Sequence, residues 1–110
     1  CFVIEPKGAA VLSGQKITES SHPIQGGGYC MTNLPLLRNI PIDGYLEVSG
    51  QQARNYVHEL AVKEGIFAGF SSGANLAGAL ELLKGPCRGG TVAIIIADSG
   101  LKYLSTDLWN

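Results

Sequence analysis

Chemistry in this chain could reside first in Gly69-Phe70-Ser71-Ser72-Gly73, which fits the G-x-S-x-G pattern of a hydrolase nucleophile elbow. A nucleophilic serine needs a base to take its proton and an acid to hold that base, in chain order Ser, then Asp or Glu, then His. Asp98 could serve as the acid, but His22 and His58 are the only histidines and both precede Ser71. Only Ile66 to Ala68 stand where the elbow requires a strand. The motif therefore predicts a tight turn into a packed helix, with Ser71 or Ser72 capping free backbone N–H groups. His58, between Tyr56 and Leu60, is expected to be a partly solvated surface histidine. Cys1, Cys30 and Cys87 form an odd set without a C-x-x-C, which argues against a disulfide framework and a zinc site and predicts buried or idle thiols.

The elements that must position these residues come from a chain of 110 residues, 45% hydrophobic and 15% charged, enough for one core. Eight basic against nine acidic side chains, with no charge block, indicate neither a nucleic-acid footprint nor a membrane-surface patch. No apolar run is long enough for a membrane helix, so small-molecule chemistry in a cytoplasmic setting is expected. Phe2-Val3-Ile4 reads as a strand ended by Glu5-Pro6, and residues 7–39 read as irregular apart from a helical turn near Leu34 to Arg38. Tyr45 to Val48 reads as a second strand and Ser49 as the N-cap of an amphipathic helix over residues 50–64, closed by Gly65. Ile66 to Ala68 reads as a short buried stretch. A second helix, apolar nearly all round, runs from Ser71 to the stop at Gly85-Pro86. Thr91 to Ile96 reads as a central parallel strand covered on both faces. The order strand, helix, helix, strand predicts an α/β fold class: part of a parallel sheet with flanking helices.

Four segments in series carry a resemblance. They are Glu5-Pro6 with Val11-Leu12-Ser13-Gly14; His22-Pro23-Ile24-Gln25-Gly26-Gly27-Gly28; Glu64-Gly65-Ile66 with Ser71-Ser72-Gly73-Ala74; and Asp98-Ser99-Gly100-Leu101-Lys102-Tyr103-Leu104-Ser105-Thr106. In this order they resemble the cysteine synthase and cystathionine β-synthase family, pyridoxal 5′-phosphate (PLP) enzymes of the tryptophan-synthase-β-like fold, type II. The last segment, D-S-G-x-x-Y-L-S-T, is the most telling.

The resemblance implies that residues 1–110 are a single incomplete α/β unit, the C-terminal part of a catalytic core. The family's covalent lysine and phosphate loop would then lie upstream of Cys1. No lysine here matches that role, neither Lys7, Lys16, Lys63, Lys84 nor Lys102, and no catalytic residue is expected in this segment. Ser99 matches the family serine whose hydroxyl bonds the pyridine nitrogen of PLP; the plainer alternative is that it only begins a turn. Gln25, Gly26, Gly27 and Gly28 match the glycine-rich substrate loop, where absent side chains let the backbone approach a ligand. Gly27 stands where the family has an apolar residue, Tyr29-Cys30-Met31 replaces the small and aromatic residues that follow, Ala97 replaces a proline, and Leu101-Lys102 replaces a charged pair. These departures bear on substrate identity.

The implied function is β-replacement: an activated L-serine and a sulfur nucleophile give L-cysteine, in an intact homodimer taking a small amino-acid substrate. The alternatives are a serine or threonine dehydratase-like PLP lyase and a non-catalytic module that retains the fold segment. The apolar second helix is further expected to favour self-association where its covering layers are lacking.

Overall fold

The computed structural model describes residues 1–110 as a two-stranded parallel sheet and two α-helices. Strand β1 (Phe2–Pro6) pairs with β2 (Gly44–Val48) in the register Phe2↔Gly44 through Pro6↔Val48. Parallel strands need a crossover, and here it is irregular, holding only the 3₁₀ turn Pro35–Leu37. A buried charge anchors its beginning: Glu5, 3% exposed, accepts the N–H groups of Leu12 at 2.8 Å and Ser13 at 3.0 Å, one on each carboxylate oxygen. Both oxygens are thus satisfied by main chain, as a buried carboxylate requires.

Helix α1 (Gly50–Glu64) begins with a capping box, in which Ser49 Oγ accepts the Gln52 N–H and Gln52 Oε1 accepts the Ser49 N–H at 2.9 Å. It ends at Gly65, whose φ of 67° lies in the left-handed region where glycine meets no Cβ penalty. Ala53, Val57 and Leu60, at helical spacing, form its buried face. Helix α2 (Phe70–Lys84) packs there so closely that a Cβ added to Gly73 would sit 2.0 Å from the carbonyl oxygen of Ala53. On another face, Gly78 admits the Ile4 side chain of β1 in the same manner, an added Cβ meeting Ile4 Cδ1 at 2.3 Å. α2 thus contacts both α1 and the sheet, and its absent side chains set both distances. The core is Ile24, Val48, Ala53, Val57, Phe70, Ala74, Ala77, Tyr103 and Leu108.

The C-terminal residues fold back over α1 and the start of α2. Arg54 pairs with Asp107, His58 donates to the Leu108 carbonyl, and Trp109 packs on Phe67 with ring centroids 4.4 Å apart. His58 is half-buried under this tail, close to its expected surface setting.

Four expectations change. Residues 91–96 form no strand: they make no main-chain hydrogen bond, and Ile95 is 71% exposed. No strand hydrogen-bonds this segment on either side, β1 facing it only across a cavity, so the apolar run is incompletely covered, with the Ile95 carbonyl taken by Asn75 Nδ2 at 2.9 Å. Ile66 and Phe67 are exposed at their side chains, and only Ala68 of that stretch is buried. No thiol is buried, Cys1 being exposed and Cys30 and Cys87 half-buried. Finally, α2 begins one residue earlier than expected, with Gly69 at the N-cap and no side-chain cap. Ser71 and Ser72 lie inside the first turn, and Ser72 Oγ instead accepts the Ala97 N–H at 3.1 Å. No helix is long and apolar enough to cross a membrane.

Candidate functional site

Four pieces of chain meet at one cavity of about 440 Å³: the end of β1, the glycine loop, the first turn of α2, and the segment after residue 96. Their order in space follows from the packing above. β1 delivers Glu5 and Pro6, the buried Ile24 carries Gln25, Gly26 and Gly27 to the rim, and α2 presents Ser71, Ala74 and Asn75. Ala97, Asp98, Lys102 and Tyr103 close the opposite wall.

That wall is held by two main-chain bonds and two side-chain bonds. Gly69 N–H donates to the Asp98 carbonyl at 3.3 Å and Gly100 N–H to the Phe67 carbonyl at 3.1 Å, so residue 99 is clamped against residues 67–69 on both sides. Asp98 Oδ2 accepts from Tyr103 Oη at 2.7 Å and from Lys102 Nζ at 3.0 Å. Tyr103 is 1% exposed and meets Phe70 edge-on with centroids 5.6 Å apart. Burial first, then the bond to the Asp98 carboxylate and its charge, push the Tyr103 phenol up from 10.0 to about 12. It is a neutral donor across the physiological range.

Ser99 lies at the start of the 3₁₀ turn Gly100–Tyr103, exposed, with its Oγ accepting the Leu101 N–H at 3.2 Å. It does begin a turn, as the plainer alternative had it. The bond uses an oxygen lone pair and leaves the hydroxyl hydrogen to donate elsewhere. Of the expected site residues, the structure gathers Gln25, Gly26 and Gly27 in the cavity, whereas Gly28 and Ser99 do not line it. Gly28, φ 61°, has no room for a side chain: a Cβ would lie 2.5 Å from His22 Nε2. Gly26, φ 81°, faces open space, so its glycine serves backbone conformation alone.

Ser71 lines the cavity, but neither histidine bonds it: His22 Nε2 lies 3.3 Å from the Gly28 carbonyl and His58 Nε2 is engaged by Leu108. No set of three or more His, Cys, Asp or Glu side chains converges to hold a metal. Among the lysines, Lys63 pairs with Glu59, Lys84 with Glu81, and only Lys102 lines the cavity, with its ammonium on Asp98. Sequence reading did not single out Glu5, Ser72 or Tyr103 for these roles. The signal for Glu5 was available, since an acid inside an apolar strand must find donors.

The architecture and the cavity at its switch from strand to glycine loop are those of an α/β enzyme segment. No family model matches the chain. Over 108 residues, 98% of this chain, it is 37% identical to a probable cysteine synthase of Bacillus subtilis, of which the match covers 34%. A cysteine synthase B of Salmonella typhimurium is 44% identical over 68 residues, 62% of this chain and 22% of that protein. Among solved structures, an O-acetylserine dependent cystathionine β-synthase from Helicobacter pylori superposes with a TM-score of 0.83 at 30% identity, over 99% of this chain and 34% of its own. O-acetyl serine sulfhydrylase isoform 3 from Entamoeba histolytica does so with a TM-score of 0.80 at 34% identity, over 98% of this chain and 32% of its own. The chain belongs to the cysteine synthase and cystathionine β-synthase family. It spans about a third of the length of the relatives it matches.

Proposed function

We propose that the chain is the C-terminal part of the catalytic core of a PLP-dependent β-replacement enzyme, which joins an activated L-serine to sulfide to give L-cysteine. The observation that carries this reading is similarity to cysteine synthases across nearly the entire chain, in sequence and in fold together. A cytoplasmic homodimer belongs to the same proposal.

When bound, PLP supplies the electron-withdrawing ring that lets an amino acid lose its α-proton and β-substituent. The residues present fit that group. Ser99 would hold its pyridine nitrogen, because a hydroxyl whose oxygen already accepts the Leu101 N–H is left as a donor, and an unprotonated ring nitrogen only accepts. A neutral donor leaves the nitrogen unprotonated, whereas a carboxylate there would raise its pKa and favour the protonated ring. Gln25, Gly26, Gly27 and Gly28 would receive the substrate: three line the cavity, and the two positive-φ glycines turn the main chain so that it can approach a ligand. Glu5 holds the loop that precedes them through the N–H groups of Leu12 and Ser13.

The test uses the full-length enzyme carrying this segment, supplied with PLP, O-acetylserine and sulfide. L-Cysteine is expected, with Ser99→Asp lowering turnover more than Ser99→Ala. A neutral hydrogen bond contributes only about 0.5–1.5 kcal/mol, while the aspartate changes the ring's protonation. A cofactor-loaded enzyme that makes no cysteine overturns the activity, and a Ser99→Asp variant equal to wild type overturns the role of Ser99.

A further inference from the structure

We infer that Asp98 is a positioning residue for Ser99: its carboxylate, bonded to the buried Tyr103 hydroxyl, closes the turn on which the Ser99 hydroxyl is presented. The inference rests on the reading of Ser99 given above. Ser99 itself is exposed, and the only bond its side chain makes is to Leu101 two residues on, so its place is set by its neighbours. On one side, Asp98 and Gly100 fasten it to residues 67–69 through main-chain bonds. On the other, the 3₁₀ turn Gly100–Tyr103 is held at its start by the Lys102 N–H on the Ser99 carbonyl and by Trp109 Nε1 on the Gly100 carbonyl, and is tied back by a side chain at its last residue. That tie is the 2.7 Å bond from Tyr103 Oη to Asp98 Oδ2.

Two observations separate this bond from an ordinary surface contact. Tyr103 is 1% exposed and packed on Phe70, and the Asp98 side chain is 17% exposed, so the bond is better shielded from water than a surface contact. The Lys102 ammonium on the same oxygen is 65% exposed, and ion pairs of that kind contribute little. On the side of α2 the pair is closely packed as well. A Cβ on Gly69 would lie 2.3 Å from Asp98 Oδ1 and 2.2 Å from Tyr103 Cε2, so the N-cap of α2 is a glycine where this pair needs the room. Asp98 therefore couples the start of α2, the end of the uncovered 91–96 segment and the Ser99 turn in one contact. Its Oδ1 is buried without a partner, so the carboxylate is held by Oδ2 and its surroundings.

The experiment is a double-mutant cycle on equilibrium PLP affinity in the full-length enzyme, using Asp98→Asn, Ser99→Ala and both together. Each single change is expected to weaken PLP roughly fivefold, the size of one hydrogen bond. The double variant is expected to lose no more than the larger single loss, since Asp98 acts through Ser99. Tyr103→Phe, which removes only the hydroxyl, should repeat the pattern and guards against misfolding of Asp98→Asn. Losses that multiply, to roughly 25-fold, overturn the inference and leave the reading of Ser99 intact. A Ser99→Ala variant with unchanged affinity overturns that reading and the inference with it. A readout independent of the cofactor is phenolate absorbance: Asp98→Asn should lower the ionisation of Tyr103 from about 12 without returning it to the ordinary value, because burial, the largest cause of the shift, is unchanged. An unchanged titration would show that the Asp98–Tyr103 bond is not made.

Discussion

The helical pair at residues 50–84 and the apolar segment at residues 91–96 are both rich in aliphatic side chains, yet they end in opposite states. α1 and α2 bury their apolar faces against one another and the sheet, with Val57 and Phe70 almost fully enclosed. The six residues from Thr91 to Ile96 stand without a ladder, and Ile95 and Ile96 face solvent. A helix satisfies its own main chain, so two helices need only fit side by side. A strand needs a neighbour to accept and donate its hydrogen bonds, and hydrophobicity alone does not supply one. Apolar composition therefore predicts the need for cover and not whether the chain provides it.

The largest expected effect breaks the fitted half of this contrast. Gly73→Ala puts a methyl group 2.0 Å from the Ala53 carbonyl oxygen, backbone that cannot turn aside, so α1 and α2 must separate. A loss of about 3 kcal/mol in chemical unfolding is expected, at the upper end of overpacking costs. An unaffected midpoint would mean that the helices are not in contact at this point.

A smaller effect tests the local half. Ser49→Ala removes the acceptor for the Gln52 N–H and one arm of the capping box, at an expected cost of about 1 kcal/mol. The loss should be visible as fraying at the first turn of α1 in amide hydrogen exchange, with the Gly65 end unchanged.

The smallest effect sharpens the uncovered half. Ile95→Lys replaces a side chain that is 71% exposed, and its expected change in stability is within about 0.5 kcal/mol. The same substitution should reduce self-association in sedimentation, because it interrupts an exposed apolar surface. A cost of several kcal/mol would instead show that the segment is buried.

Legibility followed range along the chain. The 3₁₀ turn near residue 35, Ser49 as N-cap, Gly65 as C-cap and the stop of α2 before Gly85-Pro86 were all readable, because each depends on residues within about one turn of helix. The four motifs also pointed to the family. The strand expected at residues 91–96 was not realised, since pairing depends on residues far away in sequence. Capping by Ser71 or Ser72 failed for a related reason: Ser72 found a partner 25 positions away, in Ala97. At the candidate site, Gln25, Gly26 and Gly27 were marked as a glycine loop, but nothing local could say that they face Asp98 and Tyr103 across one cavity.

The sequence by itself determined the helices, the caps of α1 and the backbone freedom of the glycine loop, since these interactions close over three or four residues and leave a periodic or positional trace. Only the tertiary structure decided that Glu5 is buried on two main-chain donors, that Gly69 makes way for Asp98 and Tyr103, and that Ser99 is clamped to residues 67–69. Those contacts join residues 7 to 34 positions apart, and a contact across such a distance depends on where the whole chain places its two ends.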